Sequence, residues 1–297
     1  MCVIVYRCFI CICGRYLIQV HFDISSNPQI SGDGSIVGIG ATGGGSLNGG
    51  GLVTTYQYQA PDWVPYGSIV QALTSDDLAG YSLDLSYDGK FMNVGSRRSG
   101  SAQFRLGGKA TVYAINDDGT EWVVRHEIAA DGKNNMDGTS VGLSQDGNVL
   151  VVGGNRYTSV INDDAKKLAG RCKIYQWNEE LNQYELVHTI LGERKNEELG
   201  SSAAVSEDGN IIACGGTTGR WGENNSAISG IVRLWDRSTS REKVIWPPGS
   251  RAAVDNGSFG SDISLSVDGN FLFVGASTWK GMNANSPGAV HVFNTNW

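Results

Sequence analysis

Several stretches of the chain carry residue types at spacings that could do chemistry. Gly38-Ile39-Gly40-Ala41-Thr42-Gly43 is a G-x-G-x-x-G after an apolar run, the form of turn that lays a pyrophosphate on a helix N-terminus. Gly138-Thr139-Ser140-Val141-Gly142 is a G-x-S-x-G, the form of a nucleophile elbow. Cys8 and Cys11 have the spacing of half a zinc site. The pairs Asp163-Asp164 and Glu197-Glu198, with His126 and His188, supply groups of the kind used for proton transfer. Each reading stands or falls with the element that would have to position it.

Those elements come from an internal repeat. ISGDGSIVGIG (30–40), LSYDGKFMNVG (85–95), LSQDGNVLVVG (143–153), VSEDGNIIACG (205–215) and LSVDGNFLFVG (265–275) align. Their Asp-Gly pairs begin at Asp33, Asp88, Asp146, Asp208 and Asp268, with spacings of 55, 58, 62 and 60 residues. A second element follows each: GLVTTY, GKATVY, GRCKIY, GIVRLW and GAVHVF, with Tyr56, Tyr113, Tyr175, Trp235 or Phe293 five residues after the Gly. A weaker third element comes next (DWVPYGSI, EWVVRHEI, QYELVHTI, REKVIW), and a fourth precedes the next Asp-Gly (AGYSLDLS, DGTSVGLS, LGSSAAVS, FGSDISLS). Asp-Gly is a tight-hairpin pair, because Gly takes positive φ without steric cost. Four short strands per unit of about 60 residues, repeated, predict an all-β fold: a β-propeller of four-stranded blades, about five in this chain.

Inside this frame most of the motifs lose their chemistry. No helix follows the glycines at 38–43; loop and then strand follow, and Gly40 is the repeat's fixed Gly. Ser140 aligns with Ser82 and Ser202, and His126 with His188, so their recurrence is structural. No second Cys pair follows Cys8 and Cys11 with metal spacing. Cys172 and Cys214 stand where other repeats have Ala or Val, and read as unpaired, small buried apolar side chains. The two acid pairs read as solvated loop charge. Neither a catalytic set nor a cofactor site is expected.

Composition agrees. Gly is 41 of 297 residues, about twice the usual ~7%, as many tight turns require. The net charge of −7 argues against a nucleic-acid partner, which needs a basic face. Residues 1–22 are set apart as an N-terminal segment, signal-like, a misassigned start, or a strand that closes the ring; Tyr16 to Phe22 is the stretch expected to complete the last blade. Arg7 and Arg15 keep any apolar run in it below the ~18 residues of a membrane span. The propeller is expected over 23–297.

FGSDISLSVDGNFLFVGAS followed by GAVHVF resembles the FG-GAP repeats of the integrin α-chain propeller family. The resemblance covers nearly everything from about residue 22 onward, although Phe259-Gly260 is the only intact FG. It implies an extracellular binding or adhesion module. Family propellers usually have seven blades, so five repeats make either a smaller ring or part of a larger one. Members that bind calcium carry several Asp or Asn ligands in the first turn; each turn here offers too few, so no metal is expected.

By this reading the partner, a protein or a glycan, docks on the face of long variable loops opposite the uniform Asp-Gly turns. Those loops hold Arg97, Arg98, Phe104, Arg156, Tyr157, Arg220, Trp221, Trp279 and Lys280, types that often dominate binding energy. The alternatives are a propeller hydrolase or lyase with a loop-built site, and an intracellular interaction scaffold.

Overall fold

The computed structural model describes residues 10–12, 16–18, 28–44, 50–72, 74, 76–100, 103–218, 220–221, 227–228, 230–248, 257–278 and 288–296. A two-stranded hairpin, β1 (Ile10–Ile12) and β2 (Tyr16–Ile18), precedes five blades. Blade 1 is β3 (Gln29–Ile30), β4 (Ile36–Ala41), β5 (Leu52–Gln59) and β6 (Asp62–Pro65), with β7 (Val70–Gln71) also on β5. Blade 2 is β8 (Ala79–Leu85), β9 (Phe91–Ser96), β10 (Lys109–Ile115) and β11 (Trp122–Ile128). Blade 3 is β12 (Asp137–Leu143) and β13 (Val149–Gly154), then, after a small loop hairpin of β14 (Ser159–Ile161) and β15 (Asp164–Lys166), β16 (Arg171–Asn178) and β17 (Gln183–Leu191). Blade 4 is β18 (Leu199–Val205) and β19 (Ile211–Gly216), a loop hairpin of β20 (Arg220–Trp221) and β21 (Ala227–Ile228), then β22 (Ile231–Asp236) and β23 (Arg241–Ile245). Blade 5 is β24 (Phe259–Leu265), β25 (Phe271–Ala276) and β26 (Ala289–Asn294). Within each blade the strand ladders are antiparallel, as the repeat predicts.

One local device builds every Asp-Gly hairpin. In blade 3, Ser144 Oγ donates to Asp146 Oδ1 at 2.7 Å, the same oxygen accepts the Asn148 N–H at 3.0 Å, and Ser144 Oγ accepts the Val149 N–H at 2.9 Å. The set recurs at Ser31/Asp33, Ser86/Asp88, Ser206/Asp208 and Ser266/Asp268. The Asp of each pair is thus committed to the turn itself. The turns then link the blades: Asp33 N–H bonds Tyr87 O, and the residues between Ser and Asp continue the chain, Tyr87 N–H to Gln145 O, Gln145 N–H to Glu207 O and Glu207 N–H to Val267 O.

The two fixed glycines have separate reasons. Gly108, which opens β10, has φ +78° and bridges Asp137 of the next blade; a Cβ there would lie 2.0 Å from Asp137 O. Gly95, which ends the run after the turn, faces the junction where Ser82 Oγ donates to Gly138 O at 3.0 Å; a Cβ would meet that hydroxyl at 2.1 Å.

Blades meet through apolar faces. The 3–4 interface buries Val151, Ile174, Ile190, Leu199, Ile212 and Ile231 completely, each contributing roughly 1.5–3 kcal/mol. Cys172 of β16 and Cys214 of β19 lie in this interface as a disulfide between blades. This corrects the expectation of unpaired cysteines: two positions treated as independent replacements of Val and Ala face each other across a blade junction.

Successive blades pack in order, β3 and β4 of blade 1 on β8, then the inner strands β8 on β12, β12 on β18 and β18 on β24. The trailing face of the last blade lies open. Val112, Ile174 and Leu234, equivalent in blades 2, 3 and 4, are 0% exposed, while Val292 in blade 5 is 56% exposed, and Phe273 and Val290 beside it are also exposed. Within the expected closing strand, Tyr16–Ile18 pairs instead with Ile10–Ile12 and lies near β6 of blade 1; residues 19–22 lie outside the described residues.

Candidate active site

The inner strands β3, β8, β12, β18 and β24 line a central cavity of about 470 Å³. Hydroxyls and main-chain groups form much of its wall, through Tyr81, Thr139, Ser201 and Ser261 at one register position and Ser82, Ser140 and Ser202 at the next. Tyr87, Gln145 and Glu207 line it at the Asp-Gly end. Among the described residues its carboxyl groups are Asp84, Glu207 and Asp262, and its lining includes no Lys, Arg or His.

Asp84 is the distinctive group. It is the penultimate residue of β8, with its side chain turned toward blade 3. Its Oδ1 accepts the N–H of Leu85 at 2.9 Å and its Oδ2 the N–H of Leu143 at 2.7 Å. One carboxylate therefore bridges the same position on two adjacent inner strands. It looks onto the cavity and is otherwise enclosed by protein. Burial, only partly offset by the two N–H donors, pushes its pKa up to about 7. A carboxyl group poised near neutrality can take and return a proton.

Across the ladder from Asp84 stands Asn93 of β9, so the two side chains are neighbours on one face. Asn93 is 0% exposed, and neither its Nδ2 nor its Oδ1 has a hydrogen-bond partner. Equivalent positions hold Val151 and Ala213. An orphaned amide in an apolar interface costs about 1–3 kcal/mol, and here it sits beside the Asp84 carboxyl group.

Of the residues expected on the loop face, two are held against the blades. The Arg97 guanidinium stacks 4.2 Å from the Tyr81 ring centre, with Nη2 3.2 Å from Met136 Sδ. Tyr157 receives the Arg171 guanidinium over its ring at 4.1 Å. Arg98 and Arg156 are exposed, and Phe104 is half-buried. Arg220 and Trp221 form β20. Trp279 and Lys280 lie outside the described residues.

The other motifs resolve as follows. Ser140 Oγ donates to Gly200 O at 2.9 Å, a blade-to-blade bond repeated by Ser82 to Gly138 and Ser202 to Gly260. His188 stacks on Trp235 and meets Glu242 at 2.7 Å. Asp163 occupies the β14–β15 turn, with Asn162 and Asp163 both at positive φ, and Asp164 pairs with Lys166. Glu197 corrects the reading of solvated charge: it is 0% exposed, and its Oε1 lies 3.0 Å from Arg233 Nε. Blade 3 carries a similar buried set, in which Arg171 and Lys173 meet Asp137, each at 2.8 Å.

Sequence reasoning missed Asp84 and Asn93. The available signal was departure from the repeat: Asp84 stands where other blades have Gly142, Ala204 and Ser264, a charge that the fold does not need.

Together these features define a β-propeller with a polar cavity at its axis. No family model and no curated protein matches the chain. Among solved structures it is similar to a periplasmic gluconolactonase of Pseudomonas aeruginosa, at 16% identity and a TM-score of 0.55 over 87% of this chain. The chain spans 66% of that structure's length. The likeness is one of fold: it supports the propeller and not the integrin-type family. It also overturns the expectation of a non-catalytic adhesion module, since the propeller that this one resembles is an enzyme's.

Proposed function

We propose that the protein is a hydrolase of carboxylic esters or lactones working in the central cavity, with Asp84 as general base. The observation that carries this reading is the Asp84 carboxyl group, held at the cavity wall by two backbone N–H groups and poised near neutrality. The similarity to a gluconolactonase fold supports it.

In this mechanism ionised Asp84 takes a proton from water as the water oxygen adds to the carbonyl carbon. The carbonyl π bond opens onto its oxygen, giving a tetrahedral intermediate. Collapse restores the carbonyl and breaks the bond to the leaving oxygen, which takes the proton back from Asp84. The products are a carboxylic acid and an alcohol, joined in one molecule when the substrate is a lactone. The two N–H donors fix the carboxylate, while each of its oxygens keeps a lone pair for water. Asn93, across the ladder, places an amide dipole beside the carboxylate.

The disulfide between blades, together with the periplasmic location in the neighbour's name, supports an oxidising compartment as the place of action. The test is hydrolysis of a panel of γ- and δ-lactones and simple esters by the wild type and by Asp84→Asn. Turnover by the wild type, lost at least 100-fold in the variant, is the expected result; equal rates would remove Asp84 from the mechanism.

A further inference from the structure

Asp84 shows what the inner-strand edges do with an O–C–O group. Ser144, Ser206 and Ser266 each direct their N–H to the second strand of their own blade. Because N–H direction alternates along a strand, the N–H groups of Leu143, Val205 and Leu265 point the other way, toward the axis. The Leu143 N–H, with that of Leu85 on the adjacent inner strand, is bridged by the Asp84 carboxylate. Val205 and Leu265 occupy the same positions on the inner strands of blades 4 and 5. That junction shares the register-fixing bond of the blade 2–3 junction: Ser202 Oγ donates to Gly260 O at 2.7 Å, as Ser82 Oγ does to Gly138 O at 3.0 Å. The residue placed to bridge the pair as Asp84 does is Ala204, whose side chain ends at Cβ. Val205, Leu265 and Ala204 all line the cavity.

We propose that the Val205 and Leu265 N–H groups form a binding subsite for the O–C–O group of a small-molecule ester or lactone, in the place where blades 2 and 3 hold the carboxylate of Asp84. The inference rests on the hydrolase reading and names the group on the substrate that the cavity holds. Two backbone donors suit a carbonyl oxygen as it gains negative charge. Asp84, Glu207 and Asp262 line the same cavity, so a neutral ester is held more readily than a full carboxylate, and the charged product is expelled by like charge.

The test is a titration of uniformly ¹⁵N-labelled protein with 2-pyrrolidinone, a lactam that keeps the carbonyl acceptor and resists hydrolysis, followed by amide chemical shifts. Saturable shifts of the Val205 and Leu265 amides are expected in the wild type. They should be abolished in Ala204→Asp, which supplies the missing carboxylate, and reduced in Ala204→Asn, which supplies an uncharged oxygen. Absence of shifts at these amides in the wild type would overturn the proposal. So would unchanged binding in a folded Ala204→Asp. Shifts in a wild type that hydrolyses no ester would uphold the subsite while counting against the hydrolase reading.

Discussion

The carboxylate of Asp84 lies 2.7 Å from the amide nitrogen of Leu143, and the two residues belong to inner strands of neighbouring blades. The contact does two things at once. It satisfies an edge N–H that the sheet ladder leaves without a strand partner, and it fixes an acid at the wall of the central cavity. Its ionisation is therefore tied to both stability and chemistry.

The stability consequence has a definite sign. Burial raises the Asp84 pKa from 3.8 to about 7 in the folded chain. The folded state therefore binds more protons than the unfolded state between those values, and stability falls as pH rises through that window. Asp84→Asn should gain stability relative to wild type at pH 8, with the gain shrinking toward pH 5. Melting temperatures of both proteins across pH 5–8 check this.

Asn93→Leu should leave stability unchanged or raise it, by up to about 1–3 kcal/mol, because an orphaned buried amide is removed. The same change should move the ionisation of Asp84 upward, since a nearby dipole able to favour the charged form is lost. Denaturant unfolding paired with the pH dependence of hydrolysis reads both effects. A purely structural Asn93 would leave the ionisation in place.

Arg233 and Glu197 are a buried pair. Glu197→Ala should cost up to about 3–5 kcal/mol, because it leaves the buried guanidinium with Glu193, at 3.1 Å and largely exposed, as its remaining carboxylate partner. Replacing both, as Arg233→Met with Glu197→Leu, should cost much less. Chemical denaturation of the single and double variants gives the comparison.

Reduction of the Cys172–Cys214 link, or Cys172→Ala with Cys214→Ala, should lower stability by about 2–4 kcal/mol for a closure of 42 residues in sequence separation. Thermal unfolding with and without reductant measures it, and an unchanged transition would mean that the blades hold together without the bond.

Equivalent positions on the blade faces should respond in opposite ways. Leu234→Lys, at 0% exposure, should unfold the protein, whereas Val292→Lys, at 56% exposure on the open face of blade 5, should cost less than about 0.5 kcal/mol. Soluble yield and unfolding curves of the two variants decide.

The repeat made the propeller legible because each blade writes the same turn, Ser-x-Asp-Gly, and the same two glycines, which at Gly95, Gly108, Gly153, Gly170, Gly215 and Gly230 lie in reach of the next blade's backbone. Ser140 could be set aside as a nucleophile for the same reason: its counterparts Ser82 and Ser202 make the same bond between blades. What stayed hidden depends on which positions of different blades meet. Cys172 and Cys214 are 42 residues apart and join only when β16 faces β19. Glu197 looked like loop charge because its partner Arg233 lies a strand pair away. Asp84 sits inside a strand, so attention to long loops passed over it, although its departure from Gly142, Ala204 and Ser264 was visible.

The central claim is that Asp84 acts as the base in this cavity, and the dependence of kcat/KM on pH for lactone hydrolysis tests it most directly. The account predicts a rate that rises with pH through a single ionisation near 7, and an Asp84→Asn variant whose residual rate lacks that step. A wild-type profile flat from pH 5 to 8, or a variant that keeps the step, would contradict it.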